Sequence, residues 1–475
     1  MMRPSQEAQT ALFYEFSLED HIPLDHLPRS IDRFVDLSAI RAHAGDFCSH
    51  TGRPSIDPEL LIRMLLMGCC FGIRSERRLC EEAHLNLAYR WFRRLDLTDR
   101  IPDHSTFSKN RHGRIRESDL PRHVFEATVA RCMQEGLVGG RGFAVDASLI
   151  VADVQKQNSS NPDDWATREI DPNDAPRAVR EYLDTLDDEA FGAATTAKPK
   201  FTAHADPASR WTAARKGRAF FAYSDNHLID TDHGIIVDVD ASRSNKSAEV
   251  GAMRKMIDRA QERFGLKPDR VAADTAYGAS DNLVWLTLRR QILPFIPVFD
   301  KSKREDGTWS RSDFTWDEDN DRYIRPEGKE LRQTRRRYSD PARTAPELKA
   351  RKYRAVRAEC LNCQSKAKCC PNTDVRAITR EKNEIVRDFA RSCAGSEFNP
   401  TAQRRRESVE MPFAHLKRIL GLGRLRLRGP CGVRDEFPLA ATAQNLRKLA
   451  KLKPMVACAG QPIGLAVDCL LKSLR

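Results

Sequence analysis

GFAVDASLIV, residues 142–151, follows the Gly139–Gly140 turn, alternates along its length and is rich in branched side chains, which predicts a buried β-strand. Asp146 stands at its centre. A carboxylate there is costly unless it is paired, protonated or bound to a metal, so Asp146 is either an acid satisfied by a backbone donor at a strand edge or part of a functional site.

Working outward, residues 152–218 are polar, contain Pro and Asp and lack strong periodicity, which predicts a long excursion after the first strand. Strands are predicted at Ala219 to Ser224 (AFFAYS) and Gly234 to Val239 (GIIVDV). A helix from Ser247 to Phe264 carries Val250, Met253, Ile257 and Ala260 on one face. DRVAADTAYG then supplies a short strand ending at Asp274, followed by a helix near Asp281 to Arg290 and a strand in ILPFIPV. The order strand, strand, strand, helix, strand, helix, strand, with a helix returning near residue 410, matches a ribonuclease H-like α/β core. Such a core carries one acid on its first strand, one after its fourth and one on a late helix: here Asp146, Asp274 and Glu410. Asp225, Asp230, Asp232, Asp238 and Asp240 compete with them near strand ends. Asp238 and Asp240 share a face by period two, and their place at a turn predicts that they are solvated.

The first 135 residues read as helical. Asp57 is the expected N-cap of a helix carrying Leu60, Leu61, Met64 and Leu65, with Pro58 in its first turn, and Ser75 is placed to cap a second. Asp103 or Ser105 is placed to cap a third. Short helices joined by Gly-containing turns fit a helix-turn-helix module, although packing alone produces the same apolar stripe. At 475 residues the chain has room for two or three domains, and its net charge of +12, from 79 basic and 67 acidic residues, suits a nucleic-acid partner without proving one. The N-terminus lacks the pattern of a secretory signal, and the longest apolar stretch, Leu60 to Ile73, is interrupted by Arg63 and too short to span a bilayer, so an intracellular protein without a membrane partner is expected. Thirteen cysteines in that setting read as reduced thiols or metal ligands.

In RRRESVEMPFAHLKRILGLGRLRLRG, Arg406, Glu410 and Lys417 are spaced by four and seven residues. On one helix they fall within about forty degrees of one another. Pro412 disturbs that helix, so it either starts close to Glu410 or kinks there. At this point the chain resembles bacterial insertion-sequence transposases of the DDE type, whose last motif reads Tyr-x2-Arg-x3-Glu-x6-Lys; Gln403 stands in the Tyr position. The resemblance extends through GRPSIDPELLIRMLLMG, GIRSERRLCEE, NLAYRWF and IPDHSTFSKNR to VDASLI, AADTAYG, RLRLRG and QNLRKLAK, covering most of residues 15–450.

The resemblance implies that the N-terminal helices bind the element ends and that Asp146, Asp274 and Glu410 hold Mg²⁺ or Mn²⁺. Two such ions roughly 4 Å apart activate water and stabilise the leaving oxygen. It assigns Arg406 and Lys417 to DNA phosphates. Double-stranded DNA is the partner, as terminal inverted repeats and as target, with a homodimer expected in the complex and a place in the bacterial cytoplasm at the nucleoid. Cys360-x2-Cys363 with Cys369 has the spacing of a structural Zn²⁺ knuckle. Related transposases add an upstream cysteine in a Tyr-x-Cys-Pro context; here Arg325 takes that place, leaving Cys370 as the fourth candidate. The expected organisation is a DNA-binding helical domain (residues 1–135), the first part of the core (136–300), a basic cysteine-containing insertion (301–400), the helical end of the core (401–455) and a tail (456–475). Two other functions share these features: a catalytically silent DNA-binding repressor of the element, and a ribonuclease H-like nuclease that cuts without joining.

Overall fold

A computed structural model describes residues 16–47, 56–166, 170–171, 174–186, 188, 190–191, 199–213, 217–299, 306–333, 350–381, 383–396 and 399–454. The chain divides into two compact units. Unit 1 comprises residues 1–139, 147–266 and 408–475, and unit 2 residues 140–146 and 267–407.

Unit 1 begins with helices whose starts follow the capping residues. In α1 (Pro58–Cys70) the Asp57 side chain accepts from the Glu59 N–H, and in α2 (Glu76–Leu85) Ser75 accepts from Arg78. Asp103, rather than Ser105, caps the short helix His104–Asn110. Leu61, Met64 and Leu65 of α1 are buried, each contributing roughly 1.5–3 kcal/mol. A further helix, α3 (Leu120–Gln134), precedes the strand β1 (Gly142–Val151), whose second half belongs to this unit.

The excursion after β1 is more ordered than its composition suggests. It includes a helix, Arg177–Asp184, that packs on the last helix of the chain, and a strand, Arg210–Ala213, that pairs with the next long strand. That strand, β2 (Ala219–Asp230), continues six residues beyond the expected Ser224. Its partner β3 (Ile236–Arg243) lies two to four residues later than expected and runs antiparallel, with Tyr223 opposite Arg243 and Ile229 opposite Ile236. Gly234 turns the chain between them at φ +68°, where an added Cβ would stand 2.5 Å from the Lys448 ammonium. On the other side of β2 the chain leaving β1 is held by Ala152, whose N–H donates to the Phe221 carbonyl.

The expectation that Asp238 and Asp240 are solvated is overturned: both are buried. Asp238 accepts from Arg122 at 2.7 Å and from Arg259 at 2.7 and 3.0 Å, so two guanidinium groups replace the water it would otherwise need. Arg259 comes from α4 (Lys246–Phe264), which covers β2 and β3 with Met253, Ile257 and Ala260 buried.

In unit 2 the first half of β1 pairs in parallel with β4 (Arg270–Ala272), and β4 pairs in parallel with β5 (Leu293–Phe295). Gly278, after β4, is required by a close approach: an added Cβ would stand 2.0 Å from the Pro297 carbonyl oxygen. The cysteine-containing segment forms an antiparallel sheet of β6 (Thr315–Asp317), β7 (Arg322–Ile324), β8 (Glu330–Gln333), β9 (Ala350–Arg354) and β10 (Ala377–Glu381), paired in chain order. Phe314, Tyr323, Leu331, Tyr353 and Ile378 form its core with Cys360, Cys369 and Cys370. So charged a sequence closes a core because the aromatic side chains supply large apolar area and arginines lie on their faces: the Arg380 guanidinium sits 3.9 Å from the Trp316 ring centroid.

The late helix α5 (Asn399–Arg418) starts eleven residues before Glu410 and continues past Pro412, instead of beginning close to Glu410. In unit 1 the Pro412 carbonyl accepts from the Gln444 amide at 2.6 Å. Gln444 belongs to α6 (Gly429–Leu452), the most buried helix, which packs on α1, α3 and β3. Its Asn445 side chain accepts from the Ile236 N–H and donates to the Ile236 carbonyl, tying α6 to the edge of β3. Among the described residues, no helix is long and apolar enough to cross a membrane.

Candidate active site

Strand register sets the relation between the two aspartates of unit 2. Ala144 of β1 pairs with Ala272 of β4 in a parallel ladder. Asp146 lies two residues beyond Ala144, still within β1, and Asp274 lies two residues beyond Ala272, just after β4 ends, so both acids follow the same end of this ladder. Asp146 is half-buried and Asp274 exposed. The Asp274 carboxylate also caps the turn Thr275–Tyr277 by accepting from the Ala276 N–H at 2.8 Å.

In unit 1, Glu410 is exposed on α5, and Lys417 lies two turns further along the same helical face, half-buried. Burial pushes the Lys417 ammonium below the usual lysine value, against the opposing pull of the Asp225 carboxylate. Between Glu410 and Lys417 on that face, the Phe413 ring stacks on the His227 imidazole of β2, centroids 4.5 Å apart. His227 and Asp225 have no solvent exposure, and their Nε2 and Oδ1 atoms lie 3.1 Å apart. Arg406 lies within α5, seven positions after its first residue.

Sequence reasoning missed the Asp225–His227 pair. Period-two alternation carries the signal, Asp225 and His227 on one face and Ser224 and Asn226 on the other, but it becomes visible only once β2 is extended to Asp230.

Three of the four candidate cysteines gather and the fourth lies apart. Cys360, Cys369 and Cys370 are buried in the apolar core of unit 2, whereas the Cys363 thiol donates to Glu327 Oε2 at 3.2 Å. Burial pushes the Cys369 thiol up to about 11 and raises that of Cys370, which keeps both protonated. Arg325 is itself buried; its Nη1 lies 3.8 Å from the Cys360 sulfur and its Nη2 donates to Glu359 at 2.8 Å. Among the described residues, no group of three or more His, Cys, Asp or Glu side chains is arranged to hold a metal ion.

Residues 16–113 match the family described as transposase domain (DUF772), and residues 325–450 match the family described as transposase DDE domain. The first match contains α1 and α2, and the second contains strands β8, β9 and β10 of the cysteine sheet, Glu410, Lys417 and most of α6. No curated protein matches the chain.

Proposed function

We propose that this chain, which belongs to the insertion-sequence transposases of the DDE type, binds the ends of its own element, cleaves DNA there with divalent metal ions and transfers the freed 3′-hydroxyl ends to target DNA. The observation that supports the reading is the parallel pairing of β1, which carries Asp146, with β4, which Asp274 follows by two residues. A ribonuclease H-like core is supported by the strand pairings: β3 with β2 in unit 1, β4 with both β1 and β5 in unit 2, and β2 antiparallel to β3 while β1, β4 and β5 run parallel.

Asp146 and Asp274 offer adjacent hard oxygen donors, one of them exposed, and this donor set fits Mg²⁺ or Mn²⁺. Asp146, Asp274 and Glu410 are the residues assigned to hold the ions, which when bound supply activation of the attacking oxygen and stabilisation of the leaving one. The chain's own contributions are positional. The Asp274 carboxylate is oriented by its cap on the Ala276 N–H. Lys417, and Arg406 through its bidentate guanidinium, neutralise and orient phosphates of the bound strand. The N-terminal helices contact the terminal repeats, and two copies of the chain hold the two ends.

The test is nicking of a plasmid that carries the reading frame with its native flanking DNA. Mg²⁺-dependent nicks at the element borders, and joining of pre-nicked ends, are expected. Binding without nicking returns the protein to a silent repressor, and nicking without joining to a nuclease.

The cysteine cluster is read as part of the core and not as a zinc site, since among the described residues no group of three or more His, Cys, Asp or Glu side chains is arranged to hold a metal ion. A guanidinium beside Cys360 disfavours a second cation there. Purified protein is expected to contain well below one equivalent of zinc by elemental analysis, and a value near one equivalent reverses this assignment.

A further inference from the structure

We infer that Asp225 and His227, a buried polar pair on β2, are positioning residues for the proposed site: Asp225 anchors the Lys417 ammonium where it meets a DNA phosphate, and His227 fixes, through Phe413, the face of α5 that carries Glu410 and Lys417. The inference rests on the function proposed above for Lys417, and it deepens that reading.

Both groups are fully buried, yet neither carboxylate oxygen of Asp225 and neither ring nitrogen of His227 makes a hydrogen bond among the described residues. Their 3.1 Å approach is close enough for charge attraction but is not aligned as a hydrogen bond. Core packing alone does not account for such a pair, since apolar side chains would fill the same volume without stranded polar atoms. What lies against the pair is the functional face of α5: the His227 ring stacks on Phe413, which sits three residues after Glu410 and four before Lys417. The spacings also match. A two-residue step along a strand covers about 6.6 Å and a four-residue step along a helix about 6 Å, so with His227 under Phe413, Asp225 falls one helical turn away. Lys417 is the cationic residue one turn on from Phe413, and the Asp225 carboxylate acts on its ammonium through space, without a direct ion pair.

The arrangement explains how a half-buried lysine stays aimed. A flexible four-carbon stem has many rotamers, and a fixed counter-charge at its root side selects among them before DNA arrives.

Two readouts test this on the full-length protein. Without DNA, Lys417 modification by an amine-reactive reagent is followed by mass spectrometry in wild type and Asp225→Asn. Loss of the carboxylate favours the neutral amine, so labelling of Lys417 is expected to accelerate severalfold while that of Lys453 stays unchanged; an unchanged Lys417 rate overturns the inference. With plasmid carrying the native flanks, Asp225→Asn is expected to slow nicking about tenfold with DNA affinity held within threefold. Adding it to Lys417→Gln is expected to cost nothing more, because residues that act through one another are not additive. Multiplying effects overturn the inference. If Asp225→Asn is not recovered folded, Lys417→Gln should lower the melting temperature and the double variant should restore it, and a further fall counts against the pair. Absence of nicking by wild type would strike the proposed function, whereas the labelling result stands independently of it.

Discussion

Asp146→Ala, Asp274→Ala and Glu410→Ala are each expected to abolish cleavage of element-end DNA while leaving its binding intact. The contributions of these carboxylates differ in kind from those of the basic residues. Backbone affinity for DNA comes from many dispersed cations, so removing one acid leaves it nearly untouched or slightly raised. Cleavage instead depends on charge developing on the attacking and leaving oxygens, where a bound ion contributes several kcal/mol, so losing a carboxylate that holds it corresponds to a fall of roughly a thousandfold or more. Asp274 has a second role as the cap of the turn Thr275–Tyr277, which alanine would also remove. Asp274→Asn separates the two, because an amide oxygen still accepts from the Ala276 N–H but carries no charge. Nicking and gel-shift assays on the same plasmid border decide the matter, and any of the three alanine variants that nicks at the wild-type rate refutes its assignment.

Glu436→Ala is expected to be the most destabilising single change in unit 1. The Glu436 carboxylate is buried, accepts from the Arg426 and Leu427 N–H groups at 2.8 and 2.6 Å, and forms an ion pair with Arg74. It therefore joins three segments: the chain between α5 and α6, the first half of α6 and the loop between α1 and α2. Removing it leaves two backbone donors and a mostly buried guanidinium without an acceptor, a loss of about 3–5 kcal/mol. Glu436→Gln retains one acceptor oxygen and should lose less. Urea unfolding followed by circular dichroism measures both, and a change under about 1 kcal/mol for the alanine variant would show that water takes over the role of the carboxylate.

Much of the local structure was legible because its determinants are local. Asp57, Ser75 and Asp103 cap the helices they precede, and the alternation of GFAVDASLIV becomes β1 over the residues expected. Errors fell where long-range partners override local signals. Asp238 at a turn reads as solvated, yet Arg122 and Arg259, distant in the chain, bury it. Pro412 reads as a helix start or a kink; α5 does not start there but runs through it, with the Pro412 carbonyl accepting from Gln444 of α6. The cysteine spacing reads as a zinc knuckle, yet Cys360, Cys369 and Cys370 pack into an aromatic core with Arg325 beside Cys360, and Cys363 bonds Glu327 instead.

By itself the sequence determined which face of each element the candidate residues share, because the periods of strand and helix are properties of the backbone. Asp146 on a strand, Asp274 after one, and Glu410 with Lys417 on one helical stripe needed no more than that. Only the tertiary structure decided which strands are neighbours and in what register, and so that Ala144 faces Ala272 in the ladder that precedes both aspartates. Register depends on contacts between residues more than a hundred positions apart, and no local period encodes it. The same holds for Asp225 and His227, whose burial was settled when α5 laid Phe413 across β2.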